Sequence, residues 1–385
     1  MEILPPASNI AFEHGISDFS FSLYSAVPKS GDEFISPFSV SAALLLLMLG
    51  TDGTTKRQMT STIFRGHTPR DINIGYKTLA DKLATKTNNG VILSLANKLF
   101  GSQIYTILDT YKDDALKFYG SGIDLLDFAL KPEQSRNIIN SWVATHTDNK
   151  IRDMMPPRIL NGETLLVIAN AIYFKGTWHT RFDPKDTERG TFHVGSTQKQ
   201  VDMMYARYDA TSGEHIGLNC KVLRLPYTGK QLSMIFVLPN DRNGLSRLEN
   251  QLTLSNFQKL LSRLTKRETH IAIPKFVVEA EYDLEPILTD LGITEIFDWR
   301  VSNFTKMVTR QINNLGVYVN DARHKTFVEV NENGSKAAGA TTIETKIKSR
   351  RMPLEFIADH PFVFVIRDDE SGIPLFIGRY CASIK

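Results

Sequence analysis

Four cationic side chains, Lys346, Lys348, Arg350 and Arg351, are crowded into six residues. A basic side chain on an exposed segment is bait for a serine protease whose primary pocket ends in a carboxylate, the trypsin-like kind. The same cluster suits a solvated face, a nuclear-localisation patch or a polyanion site. Elsewhere reactive side chains form no catalytic pattern. The nine histidines include no i, i+4 pair, so a helical zinc site is unsupported. There is no G-x-S-x-G elbow, no G-x-x-x-x-G-K-[ST] loop, no G-x-G-x-x-G and no H-E-x-x-H. Cys220 and Cys381 are too few for a disulfide scaffold and read as two lone thiols. The reading is of a non-enzyme with no cofactor and no metal.

The cluster ends a segment, residues 332–353, that lies between strands read at residues 317–330 and 361–366. A structureless stretch of some twenty residues is uncommon inside a compact domain and is usually functional or disordered. Its pattern is that of a strand. Ser335, Ala337, Gly339, Thr341, Ile343, Thr345 and Ile347 alternate with Lys336, Ala338, Ala340, Thr342, Glu344, Lys346 and Lys348. The first set is small at its start and β-branched later, while the second ends charged. A period of two with one apolar face marks a half-buried strand. Small residues in front meet little resistance on sliding between strands, and Thr and Ile behind them suit a pleated surface. One segment thus reads as protease bait fused to a latent strand.

The elements that must hold this segment follow from periodicity and caps. Residues 10–24, 39–49 behind the capping pair Ser36-Pro37, 109–119 and 135–149 read as helices. Residues 92–100 and 165–174 read as strands, the second apolar enough to be buried on both faces. From about residue 190 strands dominate. Residues 220–225 and 232–238 form a hairpin across Tyr227-Thr228-Gly229-Lys230. Residues 270–280 read as one strand carrying Pro274, residues 283–291 as a helix stopped by Gly292, and residues 375–380 as a last strand. Helices first and strands later, without βα alternation, predict an α+β fold. With no repeat and no linker, residues 1–385 read as a single domain.

Composition agrees. The 385 residues are 42% apolar and 23% charged, which argues against disorder, collagen or a disulfide scaffold. Lys+Arg of 45 against Asp+Glu of 42 leaves +3, too balanced to attract nucleic acid. The longest apolar run, residues 42–49, falls short of the roughly 20 residues of a membrane span. The first basic residue is Lys29, and Glu13, His14 and Asp18 interrupt the stretch before it, so no ordinary signal peptide is read. The expectation is a monomer, either cytoplasmic or exported by an unconventional route.

Several short strings carry a resemblance. They are Phe34-Ile35-Ser36-Pro37-Phe38-Ser39 with Ala42-Ala43-Leu44, and Ile138-Ile139-Asn140-Ser141-Trp142-Val143 leading to Thr147-Asp148-Asn149-Lys150-Ile151. Asn170-Ala171-Ile172-Tyr173-Phe174-Lys175-Gly176-Thr177-Trp178 follows, then Leu225-Pro226-Tyr227, Ile273-Pro274-Lys275-Phe276 and Asp359-His360-Pro361-Phe362. In this order they resemble the serpins almost end to end. Asn149 stands where the family has glycine. The resemblance implies the serpin fold: three β-sheets, eight or nine helices and an exposed reactive-centre loop at about residues 332–353. It also implies suicide inhibition. A serine protease cleaves the loop and is acylated, and the freed loop inserts as a new strand before the acyl-enzyme hydrolyses. Serpins are themselves the standard example of this strand addition and strain release.

The resemblance also assigns residues. Glu332 opens the hinge and pairs with Lys275 on a neighbouring strand. Gly334, Ser335, Ala337, Ala338, Gly339 and Ala340 match the small hinge of inhibitory members, with Lys336 departing from the usual glutamate on the outward set. Ser36, Ser39, Asn170 and His324 match a polar shutter beneath the opening sheet. Trp178 and Lys275 mark the breach where the loop enters. The reactive bond, about seventeen residues after the hinge glutamate counted inclusively, falls at Lys348–Ser349. Arg350–Arg351 and Arg351–Met352 are the alternatives, and all three imply a trypsin-like partner trapped covalently. The small inward face of the hinge favours an inhibitor over a non-inhibitory binding, carrier or chaperone module. Arg65, Arg70, Lys77, Lys82 and Lys86 lie where some serpins bind glycosaminoglycan, although their spacing fits a solvated helix face better. Two glycosylation sequons begin at Asn303 and Asn333. A glycan on Asn333 would obstruct insertion, so that site is expected to be bare.

Overall fold

The buried helix at residues 37–48 organises the molecule. Ser36 caps it by accepting the Ser39 N–H, and Pro37 occupies its first turn. All of its side chains are buried, as they must be in a helix apolar on every face. The structure is a computed structural model that describes residues 6–67, 71–87, 90–309, 316–332 and 352–383. Among them the helices are α1 (Pro6–Ala26), α2 (Pro37–Met48), α3 (Gly53–Phe64), α4 (Ile72–Lys86), α5 (Asp109–Tyr119), α6 (Pro132–His146), α7 (Leu245–Asn250), α8 (Leu254–Ser262) and α9 (Leu284–Asp290). The first strands are β1 (Glu33–Ile35), β2 (Val91–Ser102), β3 (Ile123–Leu126), β4 (Leu166–Gly176), β5 (Thr187–Val194), β6 (Thr197–His215) and β7 (Cys220–Pro226). They are followed by β8 (Leu232–Pro239), β9 (Thr265–Pro274), β10 (Phe276–Asp283), β11 (Asp321–Val330), β12 (Leu354–Ile357), β13 (Phe362–Asp368) and β14 (Pro374–Tyr380).

One sheet has the order β10-β11-β4-β2-β3. The other runs β1-β14-β13-β8-β7-β6-β9-β12, with β5 on β6. Helix α2 packs against β2 and β4 of the first sheet and β14 of the second, so the main core lies between the two. A smaller core, with Phe100, Phe128, Ile139 and Val143, sits beneath α6 on the other face of the first sheet.

Most expected elements are present, with three corrections. The three expected sheets appear as two hydrogen-bonded networks among the described residues. The 19-residue β6 pairs with β5, β9 and β7 in turn and fuses two of them. The single strand expected at residues 270–280 is two strands in different sheets. Pro274, which has no N–H to give, ends β9, Lys275 donates to the Asp202 carbonyl, and β10 starts afresh beside β11. The strand expected from Val317 begins at Asp321. Asn149 stands in the left-handed region at φ 57, which explains why asparagine can replace a glycine there. No helix among the described residues is long and apolar enough to cross a membrane.

Helix α4 is tied to the β13–β14 turn by a buried ion pair. Lys86 Nζ lies 2.7 Å from Asp368 Oδ1, with side-chain exposures of 3% and 1%. Burial opposes the charge on Lys86, but its bonds to Asp368 and Glu370 outweigh that and hold its pKa above the ordinary value. Asp368→Ala, which takes away the buried partner and leaves Lys86 only Glu370 Oε2 at 2.8 Å, is expected to cost about 1.5–3 kcal/mol in urea unfolding. Replacing both partners by Met and Leu should recover at least half of the loss. Equal losses in the single and double variants would refute this.

Candidate functional site

The middle of the five-stranded sheet holds a seam. β11 runs parallel to β4, in register from Asp321↔Val167 to Val328↔Phe174. Parallel ladders are slanted and slightly weaker per residue than antiparallel ones. The chain leaves β11 at Val330. A strand that turned back there and entered the seam would lie antiparallel to both neighbours.

Beneath the seam lies a knot of polar groups. Ser36 donates its backbone N–H to His324 Nε2 at 3.0 Å and its hydroxyl to the Leu375 carbonyl at 2.7 Å. Because Nε2 accepts, the proton resides on Nδ1, which points at the Asn170 carbonyl 3.3 Å away. Asn170 Nδ2 donates to the Ser39 carbonyl at 2.8 Å and reaches Asn97 Oδ1. Ser39 Oγ donates to the same Asn97 oxygen at 3.0 Å. All four expected shutter residues are therefore brought together by α2, β4 and β11. The sequence reading missed Asn97, which stands opposite Asn170 across β2 and β4. A lone asparagine in a strand has no local signature, and only the register reveals it. Burial drives the His324 pKa from its ordinary 6.5 down to about 3, the bond to Asn170 opposing this only in part.

Above the seam the chain is held at residues 331 and 332. Trp178 stacks on Tyr227 with centroids 4.7 Å apart, and its indole N–H donates to the Asn331 carbonyl at 2.9 Å. The Glu332 carbonyl accepts from the Phe182 N–H at 3.2 Å. The Glu332 carboxylate accepts from Thr187 Oγ1 at 2.8 Å and pairs with Lys275 Nζ at 3.1 Å. Burial would raise its pKa. Its own backbone N–H, Thr187 and Lys275 outweigh that and hold it below the ordinary carboxylate range.

A seam closed by a polar knot below and by a clamp above is the arrangement the short motifs pointed to. The serpin family model, described as serine protease inhibitor, matches residues 14–383. The chain belongs to the serpin family. Human Serpin B8 is 35% identical to this serpin over 367 residues, spanning 94% of this chain and 96% of its own. Leukocyte elastase inhibitor of Sus scrofa is 36% identical over 372 residues, spanning 94% and 96%. The structure of uncleaved ovalbumin superposes with a TM-score of 0.86 at 26% identity, covering 96% of this chain and 99% of that one.

The far end of the serpin's loop region is also anchored. Arg267 Nη2 donates to the Met352 carbonyl at 2.6 Å, and Leu354 opens β12 in parallel register with Thr269 of β9. The hinge residues Gly334, Ser335, Ala337, Ala338, Gly339 and Ala340, the sequon at Asn333 and the candidate reactive residues Lys348, Ser349, Arg350 and Arg351 lie outside the described residues. So does Arg70. Of the other supposed glycosaminoglycan contacts, Lys77 pairs with Asp81 at 3.1 Å, Lys82 with Glu370 at 3.2 Å, and Lys86 is buried. Those three cations already face carboxylates. Asn303 Oδ1 accepts from the Thr305 N–H and hydroxyl. Both cysteines are free and buried, and burial pushes the Cys220 thiol up to about 12.

Two outcomes follow. His324 is neutral in the fold and charged when unfolded below 6.5, so its contribution to stability is complete above 6.5. It is lost as pH falls towards about 3. Urea midpoints measured from pH 7.5 to 4.5 should fall less steeply in His324→Asn than in the wild type. The difference should approach 1.4 kcal/mol per pH unit at most, roughly one proton's worth, and parallel curves would refute it. For the clamp, Glu332→Gln and Lys275→Ala should show a coupling energy of about 0.5–3 kcal/mol in a double-mutant cycle. Because the Glu332 pKa is depressed, that coupling should persist above pH 4.5 and vanish as pH falls below it. A coupling of zero at neutral pH would remove the clamp.

Proposed function

We propose that this serpin is a suicide-substrate inhibitor of trypsin-like serine proteases. The observation that carries the reading is the seam: two parallel strands at the sheet centre, with the chain clamped at Glu332 where a returning strand would begin. The protease serine attacks the carbonyl carbon of the reactive residue, the amine of the following residue leaves with the transferred proton, and an ester joins the two proteins. The freed upstream strand then enters the seam. It gains hydrogen bonds to both neighbours, each worth roughly 1 kcal/mol net. Burying Ile343 and Ile347 adds about 1.5–3 kcal/mol apiece. The sum rivals the roughly 5–15 kcal/mol that holds an ordinary domain together, so the uncleaved form is a kinetic trap. Insertion drags the acylated protease with it and distorts it before water can complete the hydrolysis.

The distal anchor favours one reactive bond. A protease must bind several extended residues on each side of the bond it cuts. Cleavage at Arg351–Met352 would require Met352 to leave Arg267 and Leu354 to leave β9. Cleavage at Lys348–Ser349 leaves three residues of slack before Met352. Lys348 is therefore the residue we place in the acidic primary pocket, with Glu332 and the small residues 334–340 as the hinge.

Mixing the protein with equimolar trypsin should give a band near the summed mass that survives boiling in detergent. The released peptide should begin at Ser349. A peptide beginning at Met352 would overturn the bond assignment. Clean cleavage with no covalent band would overturn inhibition and leave a carrier or binding module.

A further inference from the structure

Beyond the anchor at Met352 the outer surface carries a feature that loop insertion does not use. A cleft of about 430 Å³ opens between β12, the start of β7 and the short turn at residues 216–218. Ile216 stands at its rim with 93% of its surface exposed, and Ile357 of β12 faces it at 43%. Exposed isoleucines are common singly, but this one is rigidly presented. The His215 side chain accepts the Leu218 N–H at 3.0 Å. Asn219 closes the turn in the left-handed region at φ 48, donating its side-chain N–H to Asp241 and accepting from Asn240, both at 2.9 Å. Two carboxylates on the same cleft, Glu214 and Glu355, make no ion pair within 4 Å among the described residues, although Glu214 stands opposite Lys221 across β6 and β7. Lys221 is occupied by the Glu355 carbonyl and Arg242 by Asp359.

We propose that this cleft is a secondary docking surface for the target protease, receiving an apolar side chain between Ile216 and Ile357 and basic side chains against Glu214 and Glu355. The proposal rests on the inhibitory reading above and adds to it a determinant of which protease is met. The occupant follows from continuity. β12 is the strand into which the loop runs, and residues 349 to 357 span at most about 26 Å when extended. A protease domain of about 220 residues has a radius of gyration near 17 Å and is roughly 40 Å across. A protease seated at residue 348 extends about 20 Å to each side, so it meets β12 and the surface beside it whenever the intervening chain is less than fully extended. Exposed isoleucines set among charged side chains offer a partner protein both apolar contact and charge, and acids without an ion pair select a basic face.

The test uses the full-length protein with trypsin, thrombin, plasmin and urokinase. Ile216→Ser changes an almost fully exposed side chain without adding charge, and its thermal midpoint should match the wild type. With the fastest-reacting protease, its second-order rate of covalent complex formation should drop about tenfold, with the stoichiometry of inhibition unchanged. Glu214→Lys combined with Glu355→Lys should slow the same protease and flatten the fall in rate between low and high salt. If every protease that forms a complex reacts with both variants at the wild-type rate, the docking surface is wrong and inhibition stands. If the wild type forms no covalent complex with any of the four, the inhibitory reading fails and the docking surface falls with it.

Discussion

Two strands that run the same way, β4 and β11, meet along residues 167–174 and 321–328 at the middle of a sheet. Their contact has to hold for the life of the uncleaved protein and part once. A parallel ladder is a suitable choice for that duty, since its slanted bonds are slightly weaker than antiparallel ones and an antiparallel guest satisfies both edges better. The cost of separation falls on the groups that bridge the seam from outside. Below it these are Ser36, Ser39, Asn97, Asn170 and His324, and above it Trp178, Thr187, Lys275 and Glu332.

That these bridges are polar has a consequence for how the seam opens. Apolar contacts weaken gradually as surfaces slide. Hydrogen bonds are directional and weaken steeply once their angles are lost. In the low dielectric of the core each bond polarises the next, so the knot acts as a unit. His324 shows the price of the arrangement: as an imidazolium it would have no acceptor for Nε2, which already faces the Ser36 N–H. Neutrality is built into its position between α2 and β4, and the fold is thereby tied to conditions that leave the ring uncharged.

Much of this was legible before the structure because the relevant signals are local. Ser36-Pro37 before an apolar run announces a capped helix, and α2 begins there. The helix read at residues 109–119 has those bounds, with Gly120 left-handed just past its end. The ion pair between Glu332 and Lys275 was anticipated from resemblance, and the geometry brings the two side chains together. What escaped depends on long-range register. Asn97 acquires meaning only opposite Asn170, and Arg267 only when β9 lies beside the chain at Met352. Lys86 looked like part of an exposed basic face because its counter-ion, Asp368, is 282 residues away. The fusion of two sheets through β6 was equally hidden, since a long alternating strand does not say how many partners it will serve.

The seam lies inside the five-stranded sheet and cannot by itself choose a protease. A relative that shares 36% of its residues with this chain is named as an inhibitor of leukocyte elastase. Elastase has a small primary pocket, unlike the carboxylate-ended pocket that lysine and arginine fill. Selectivity must then reside in parts that can vary without disturbing β4, β11 and the knot. The segment between Glu332 and Met352 meets that condition, because both of its ends are fixed by residues outside it. The surface beside β12 meets it as well: Ile216 and Glu214 are exposed and lie outside the core, so changing them leaves the fold alone. Separating the seam from the surfaces a protease would touch lets one fold serve many targets.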